Sequence, residues 1–419
     1  MRIAEMHVTP VAMGDPPLLN AAGLHAPYAL RTVVELVTDD GVSGLGEVPG
    51  GAKITADLEA AREVVVGRDP LQLTPLWLAL VERLGATGDR RRLPRVFSPI
   101  EVACLDIVGK ATGRPVCDLL GGKVRERVDF SAYLFFKHAG AGGPLGFDMD
   151  TRATGWEAAR QVEALDPDGV VRQAKAMIAA HGFRSIKLKA GCMEPEVEVA
   201  SMFALREAFG PGTPLRIDPN AVWSVETAIR YGRQMEGVLE YYEDPARGQE
   251  GMAAVARAVN IPLATNMCTV SFEDLPGSVR LGSEAIILGD HHFWGGLRAS
   301  VELARFCRTF GRGMSMHSNS HLGISLAAMT HLAAAVPNLT YACDTHYPWQ
   351  WEDVIQGGRL RFEGGSLAVP EGPGLGVELD REALARLHRQ YLECGFTERD
   401  DEVEMRKMQP EWRFQHTRW

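Results

Sequence analysis

Between residues 125 and 317 the chain alternates short apolar runs with longer stretches of helical periodicity, and most runs stop at a polar or charged residue. These polar ends recur about every 25 residues, which is about the length of one βα unit in a (β/α)8 barrel. In that fold the carboxyl ends of all strands open on one rim, where the chemistry takes place. The pattern predicts barrel strands at residues 128–133, 185–189, 215–218, 239–243, 263–266, 285–290 and 313–317.

The part of the chain before residue 125 has the pattern of an α+β unit. It predicts strands at residues 31–38 and 44–48 and helices at residues 74–84 and 98–110. Gly and Pro place His25 in a loop at residues 19–27. A Gly- and Asp-rich stretch at residues 139–155 predicts a flexible loop at the entrance of the barrel.

Composition narrows the classes of partner. The 419 residues are 46% hydrophobic, which suits one large catalytic domain and a smaller one. A formal net charge of −10 argues against nucleic acid and anionic membranes, although a local cationic pocket could still bind an anionic substrate. The sequence has no apolar 18-residue window and no signal peptide, and its seven dispersed cysteines are typical of reduced thiols. We therefore expect a cytoplasmic protein.

Two lysines end the run at residues 185–189. Lys187 and Lys189 are two residues apart, so on a strand they point to the same face. Two ammonium groups on one buried face repel each other, and burial lowers the pKa of a lysine further. Such a lysine can act as a base near neutral pH. The alternative is an edge strand whose lysines are solvated.

Oxygen ligands end the next three runs. Asp218, Glu243 and Asn266 offer two carboxylates and an amide oxygen, which are hard ligands suited to Mg²⁺. The alternatives are an Asx turn at residue 218 and a simple loop start at residue 243.

The last two runs end in an acid and a histidine. An aspartate that is bonded to one imidazole nitrogen fixes the tautomer and leaves the other nitrogen as a base or acid, so Asp290 and His317 form a candidate pair. The alternative for His317 is a hydrogen-bonded core histidine. A metal between two bases suits abstraction of a proton α to a carboxylate.

The whole series of strand ends resembles the enolase superfamily, and specifically its glucarate dehydratase branch. The resemblance is carried by the motifs Lys-x-Lys, Asp-x-Asn, Glu-Asp-Pro, Thr-Asn-Met, Asp-x-His-Phe-Trp and His-Ser-Asn-x-His. It implies a modified (β/α)7β barrel at residues 125–379, with an α+β capping domain at residues 1–124 that is completed by residues 380–419. It also implies a homo-oligomer.

The resemblance implies a role for each residue of the site. Lys189 would be one acid/base, and Lys187 would hold the substrate carboxylate and lower the pKa of Lys189. His317, backed by Asp290, would be the opposite base and the acid that helps hydroxide leave. Mg²⁺ would be held by Asp218 and Asn266, with either Glu243 or Glu250 completing the set. The substrate contacts would be His25, Asn220, Ser318, Asn319, His346 and Arg399.

The expected activity is the Mg²⁺-dependent dehydration of a six-carbon acid sugar, with D-glucarate giving 5-dehydro-4-deoxy-D-glucarate. Three departures from the family pattern open other outcomes: Gln249 where an acid is expected, His291 where proline is common, and Phe136 where a substrate-facing tyrosine is expected. One alternative is an acid-sugar racemase or epimerase that uses the same site. The other is a non-catalytic relative that binds an acid sugar or a sister subunit.

Overall fold

The N-terminal part of the molecule is built on an antiparallel sheet. The computed structural model describes residues 1–85 and 89–419. The strands of this part are β1 (Ile3–Gly14), β2 (Leu19–Asn20), β3 (Gly23–Leu24), β4 (Tyr28–Thr38) and β5 (Ser43–Pro49). The main sheet has the order β1-β4-β5, and β2 and β3 form a small hairpin in the predicted loop at residues 19–27. Nearly all of β4 is buried, because helices cover the sheet.

Four helices follow this sheet: α1 (Ala52–Val65), α2 (Leu73–Leu84), α3 (Arg92–Thr112) and α4 (Val116–Leu119). The predictions of α2 and α3 are confirmed, but α3 begins at Arg92, so Pro99 lies inside the helix and not at its first turn. The close approach of α3 to β5 depends on Gly46, since a Cβ atom there would lie 1.9 Å from the carbonyl oxygen of Pro99.

The predicted barrel is confirmed. The strands of this part of the chain are β6 (Arg127–Asp129), β7 (Ala132–Phe135), β8 (Ile186–Lys189), β9 (Leu215–Asp218), β10 (Tyr241–Glu243), β11 (Leu263–Thr265), β12 (Ile286–Gly289) and β13 (Gly313–Met316). Strands β7 to β13 form one parallel sheet in sequential order. A segment around Cys343 closes the ring, because Asp344 N donates to Met316 O at 2.9 Å and Ser131 N donates to Cys343 O at 2.8 Å. This is the arrangement of a modified (β/α)7β barrel.

Helices connect the barrel strands and cover their outer faces. They are α5 (Gly155–Ala159), α6 (Pro167–His181), α7 (Pro195–Phe209), α8 (Val225–Gln234), α9 (Gly248–Ala256), α10 (Leu275–Leu281), α11 (His291–Trp294), α12 (Leu297–Thr309) and α13 (Gly323–Ala335). Their ends follow from the sequence. Asp166 caps α6 by accepting from Gly169 N at 2.7 Å, Pro167 occupies the first turn, and Gly182 ends the helix with φ of 72°.

The register of the parallel sheet places alternate side chains inside the barrel. Lys189 lies beside Asp218 and Phe135 lies beside Lys189 in adjacent strands. Below this level Tyr241, Ala264, Ile286 and Leu288 pack together, beside the buried side chains of Lys187 and Arg216. The polar residues at the strand ends therefore share one rim above a packed core, as the phased pattern predicts.

The C-terminal part of the chain returns to the N-terminal sheet. It contains β14 (Ser366–Ala368), which pairs with β6, and helices α14 (Arg381–Glu393) and α15 (Asp401–Met408). Helix α14 packs on β1, and α15 packs on β3. This packing agrees with a capping unit that the C-terminal segment completes, while the domain boundaries at residues 124/125 and 379/380 stay a prediction.

Two predictions about the whole chain concern its helices and cysteines. No helix in the part of the chain that the structure describes is both long and apolar enough to cross a membrane. The seven cysteines are unpaired, and they lie dispersed through both parts of the molecule.

A buried carboxylate joins the two parts and gives a prediction about stability. Glu101 on α3 accepts from Leu297 N and Arg298 N, each at 3.0 Å, at the start of barrel helix α12. Burial outweighs these bonds and raises the pKa of Glu101 to about 7. The folded protein then binds more protons than the unfolded chain between the ordinary pKa and pH 7, so this group makes stability fall as pH rises through that range.

In Glu101→Gln we expect that pH dependence to be lost. The difference in unfolding free energy between pH 5 and pH 8, measured by urea denaturation, should shrink by about 2–3 kcal/mol relative to the unchanged protein. The matched control is Glu302→Gln, since Glu302 is an exposed glutamate on α12, the helix whose first N–H groups Glu101 binds. Equal pH dependence in the two variants would contradict the prediction.

Candidate active site at the carboxyl ends of the barrel strands

The two lysines of β8 lie on the inner face of the barrel and are both buried. Lys187 Nζ lies 2.5 Å from Glu243 Oε2 and 2.6 Å from Asp344 Oδ2. Lys189 Nζ donates to Asp218 Oδ2 at 2.6 Å. The alternative of a solvated edge strand is therefore wrong, because β8 lies inside a closed sheet and its lysines are ion-paired.

The prediction that these lysines have lowered pKa values is wrong, because neighbouring carboxylates raise both values. Burial and the charge of Lys187 do lower the pKa of Lys189, but the negative charge of Asp218 outweighs both, so the pKa is raised. The pKa of Lys187 is raised well above its usual value, because Asp344 and Glu243 outweigh burial. The repulsion between the two ammonium groups exists, but carboxylates from other strands reverse its effect.

Three carboxylates meet beside the lysines. Oxygen atoms of Asp218, Glu243 and Asp244 lie within 4.8 Å of one another, and all three residues are buried. Burial and the charge of Asp218 raise the pKa of Glu243 well above its usual value despite Lys187, and they raise that of Asp244 to about 7. Asn266 Nδ2 donates to Glu243 Oε1 at 2.8 Å. Carboxylates that repel each other in a buried cluster are a donor set that fits a divalent cation.

The two glutamates considered for the metal lie in different surroundings. Glu243 ends β10 inside the cluster, whereas Glu250 is exposed on α9 and is not in the group of carboxylates that the described residues bring together. Gln249 donates to Thr269 Oγ1 and to Asp274 O, each at 3.0 Å, which holds it in the loops outside the cluster. Asp244 was not among the predicted ligands; the Glu-Asp-Pro motif that contains it was the available signal.

The backbone is strained next to the carboxylates. Among the described residues, the non-glycine residues with positive φ are Asn220 (54°), Ala221 (59°) and Asp244 (34°). They follow β9 and β10, and Ala221 N donates to Asp244 O at 2.7 Å, which locks the two turns together. Such strain is concentrated at functional sites, where it fixes side chains that an ordinary turn would leave free. Asn220 Nδ2 lies 3.3 Å from Asp218 Oδ1 as a result.

The acid and the histidine at the ends of β12 and β13 form the predicted contact. His317 Nδ1 lies 2.9 Å from Asp290 Oδ2, and the imidazole is only partly buried. A carboxylate on Nδ1 selects the tautomer whose Nε2 is free to accept a proton. Asn319 Nδ2 also donates to Asp290 Oδ2, at 3.3 Å.

The remaining predicted contacts come from three distant segments of the chain. His25 Nε2 lies 2.9 Å from Arg399 Nη2, and His25 Nδ1 lies 2.8 Å from Asp15 Oδ2. The rings of His25 and His346 are stacked with centroids 6.2 Å apart. The backbone N–H of His346 donates to Ser318 Oγ at 3.1 Å, so Ser318 belongs to the same wall of the site.

Phe135 lies on this wall beside Tyr133, whose ring also packs against His346. The ring centroid of Phe135 lies 4.7 Å from that of His346 and 6.1 Å from that of His25. Phe136 was expected to face the substrate, but it follows β7 by one position and is fully buried, and its carbonyl oxygen accepts from Leu19 N at 2.8 Å. The expectation was therefore displaced by one residue, which exchanges the inner face of a strand for the outer face.

Comparison with known families agrees with this geometry. Residues 6–121 match the family described as mandelate racemase/muconate lactonizing enzyme, N-terminal domain, and residues 169–383 match the family described as enolase C-terminal domain-like. The chain belongs to the mandelate racemase/muconate lactonizing enzyme family of the enolase superfamily.

Individual relatives of this superfamily cover almost the whole chain. A protein of Streptomyces coelicolor named probable glucarate dehydratase is 49% identical, with 98% of this chain and 97% of the relative covered. The L-talarate/galactarate dehydratase of Salmonella typhimurium is 26% identical, with 88% of this chain and 84% of the relative covered.

Solved structures of enolase superfamily members have the same fold. An enolase from Thermobispora bispora, complexed with magnesium and formate, is 54% identical with a TM-score of 0.93, and 98% of each chain is covered. An enolase from Mycobacterium smegmatis, complexed with tartrate, is 52% identical with a TM-score of 0.93, covering 100% of this chain and 98% of that one.

Proposed function

We propose that this protein is a Mg²⁺-dependent hydro-lyase that dehydrates six-carbon acid sugars, with D-glucarate as the first substrate to test. The observation that carries the proposal is the order of groups around the rim. The carboxylate cluster lies at the ends of β9 and β10, with Lys189 on one side and the pair of His317 and Asp290 on the other. The dehydratase names of the relatives and the tartrate and magnesium in similar structures support the same reading.

The carboxylate cluster and Asn266 would hold the metal. Asp218 and Glu243 are buried, carry repelling charge and lie at adjacent strand ends, and Asn266 contacts Glu243 from the next strand. A bound Mg²⁺ supplies a Lewis acid that stabilises negative charge developing on the substrate carboxylate. Lys187 contributes a fixed positive charge from below, because it is fully buried and already bonded to Glu243 and Asp344.

The proton transfers are assigned to the two flanking groups. His317 accepts the α-proton at Nε2, because Asp290 holds its Nδ1–H. The resulting imidazolium donates that proton to the departing β-hydroxyl group, so water leaves and an enol remains, which tautomerises to the keto acid. Lys189 holds a proton at Nζ on the other side of the site, bonded to Asp218. A cation held by Asp218 would offset the charge that raises the pKa of Lys189, and Lys189 would then be the acid/base for exchange on that face.

Arg399, His25 and His346 are the proposed contacts to the end of the substrate that the metal does not hold. Arg399 offers a planar fork that suits a distal carboxylate, although Asp401 already holds two of its nitrogens at 2.6 and 2.8 Å. His25 and His346 add polar edges beside it. Together with Asn220, Ser318 and Asn319, these residues are the proposed contacts to the acid sugar.

An epimerase or racemase of acid sugars is the second candidate. It is favoured by the presence of proton-transfer groups on both sides of the cluster, since removal on one side and return on the other inverts a stereocentre. The two reactions differ in product, because dehydration creates a keto group and epimerisation does not.

The test is a screen of acid sugars in Mg²⁺ buffer, with semicarbazone absorbance to detect keto acids and proton NMR to detect epimers. We expect keto-acid formation from D-glucarate or a close aldarate epimer. Epimer formation without keto acid would replace the proposal with the second candidate. Turnover of monocarboxylate sugars alone would overturn the dicarboxylate assignment. If no sugar gives a keto acid or an epimer, both enzyme assignments are overturned in favour of a non-catalytic relative.

A further inference from the structure

The two oxygens of Asp290 are divided between two histidines. Oδ2 bonds His317 as described above, while Oδ1 accepts from the backbone N–H of His292 at 2.9 Å and lies 2.8 Å from Nδ1 of the same residue. The His292 side chain is 3% exposed, compared with 11% for that of His317. One buried carboxylate thus serves a second, deeper imidazole in addition to the acid/base candidate.

The other edge of the His292 ring meets a buried cation from the N-terminal sheet. Arg31 on β4 places Nη2 3.3 Å from His292 Nε2, and its Nε donates to Glu47 Oε1 at 2.5 Å. Ser325 Oγ lies 2.8 Å from His292 Nε2 and accepts from Arg31 Nη2 at 3.2 Å. Arg31, Glu47, His292 and Ser325 are all buried.

These partners determine the protonation of His292. A guanidinium can only donate, so His292 Nε2 must accept from Arg31 and carries no proton. The Nδ1–H of His292 is therefore donated to Asp290 Oδ1. Asp290 accepts from His292 on one oxygen and contacts the functional imidazole of His317 with the other.

Helix α13 fixes this arrangement. Glu47 on β5 accepts from Leu322 N at 2.8 Å and from Ser325 N at 2.9 Å, at the beginning of that helix. The pair of Arg31 and Glu47 therefore cannot rotate without breaking bonds to the barrel. A chain of contacts runs from the N-terminal sheet through His292 to the aspartate behind His317.

We propose that His292 is a positioning residue: by donating to Asp290, it weakens the hydrogen bond that Asp290 accepts from His317 Nδ1–H. Arg31 holds His292 in the tautomer that can donate to Asp290. The inference rests on the proposed function insofar as His317 is taken as the acid/base. It adds a contribution of strands β4 and β5 to the chemistry of the barrel.

The direction of the effect follows from hydrogen-bond sharing. Burial opposes the ionisation of Asp290, but the two histidines outweigh it and hold its pKa well below the usual range. If the donor on Oδ1 is removed, more of the negative charge is available to His317. The imidazolium form of His317 is then favoured, so the pKa of His317 rises.

Other charged groups around His292 keep a constant state near neutral pH. Burial lowers the pKa of His321 to about 3 and that of His291 to well below its usual value, so both stay neutral. Burial opposes ionisation of Glu47, but Arg31 and Leu322 N outweigh it and lower its pKa. Arg95 is the other charge that acts on Arg31, and it is a permanent cation.

The experiment follows His317 directly by NMR in protein labelled with ¹⁵N-histidine, in Mg²⁺ buffer without substrate. The His317 resonance is assigned by its loss in His317→Asn. In His292→Phe we expect its pKa to rise by about half a pH unit or more, because a lost hydrogen bond of ordinary strength corresponds to that shift. In His292→Asn the side-chain amide can still donate to Asp290, so the pKa should stay closer to that of the unchanged protein.

The matched control is His291→Phe. The His291 ring lies against that of His292, with centroids 3.9 Å apart. Among the side-chain contacts of the described residues, Asp290 is bonded to the His292 ring and not to the His291 ring. An unmoved His317 pKa in folded His292→Phe would overturn the proposal, as would equal shifts in His292→Phe and His291→Phe.

The outcome is separate from that of the proposed function. The titration needs no turnover, so a protein that is silent in the acid-sugar screen can still confirm or overturn the role of His292. Where turnover is found, the acidic limb of the kcat/KM profile should move upward in His292→Phe by the same amount as the NMR pKa. A limb that stays in place while the NMR pKa moves would remove His317, and not His292, from its assigned role.

Discussion

Replacement of His317 by asparagine should abolish dehydration while exchange at the Lys189 face persists. We expect kcat to fall by about 10³-fold or more, the upper part of the range for loss of a general acid/base. Asparagine keeps a polar group near Asp290 Oδ2, which otherwise bonds His317 at 2.9 Å, so the buried carboxylate is not left without a donor. The loss then reflects missing proton transfer and not a collapsed site.

The second part of this prediction concerns Lys189. Its Nζ is bonded to Asp218 at 2.6 Å and has no contact with His317 or Asp290 among its ion pairs in the described residues. Exchange of a substrate α-hydrogen for deuterium, followed by proton NMR, should therefore survive for a substrate that presents that face. The matched control is His7→Asn, since His7 is an exposed histidine on β1. Full dehydratase activity in His317→Asn would remove His317 from the mechanism.

The strands of the barrel could be predicted because their signal is local. Each run is apolar and ends at a polar residue, and the observed strands at Ile186–Lys189, Leu215–Asp218 and Gly313–Met316 agree with the predicted runs to within a residue. Side-chain direction is more fragile, because one position on a strand exchanges the two faces. Phe135 and Phe136 show this, since the rim geometry selects the first and the family pattern suggested the second.

The directions of the pKa shifts could not be predicted, because they depend on contacts between residues that are distant in sequence. The sequence places Lys187 next to Lys189, but only the closed barrel brings Asp344 to within 2.6 Å of Lys187. The pKa of Lys187 is raised for that reason, and the pKa of Lys189 is raised by Asp218 on the neighbouring strand. The contact between Arg31 and His292 spans 261 positions and has no local signal at all.

The metal ligands are intermediate between these cases. Strand phasing places Asp218 and Glu243 on one rim, and the resemblance to the family suggests their role. Asp244 escapes such reasoning because its side chain enters the cluster only through an unusual backbone, with φ of 34°. Choosing between Glu243 and Glu250 likewise needs the burial of each, which the sequence does not contain.

The assignment of Glu243, and not Glu250, as the metal ligand gives the second prediction with a large expected effect. In Glu243→Gln we expect calorimetric binding of Mg²⁺ at millimolar concentration to be lost and turnover to fall by about 10³-fold or more, because an amide carries no charge to hold a hard cation. The fold should survive. Lys187 keeps Asp344 at 2.6 Å, and the glutamine oxygen can still accept from Asn266 Nδ2, which donates to Glu243 at 2.8 Å.

Thermal melting with and without Mg²⁺ separates metal binding from folding. The unchanged protein should melt at a higher temperature in saturating Mg²⁺, because a ligand that binds only the folded state stabilises it. Glu243→Gln should melt close to the unchanged protein without metal and gain nothing from Mg²⁺. Glu250→Gln is the control, and its exposed side chain should leave both the metal-dependent gain and turnover intact. The reverse result, with Glu250→Gln losing the gain and Glu243→Gln keeping it, would require α9 to approach the strand ends when metal binds and would transfer the ligand role to Glu250.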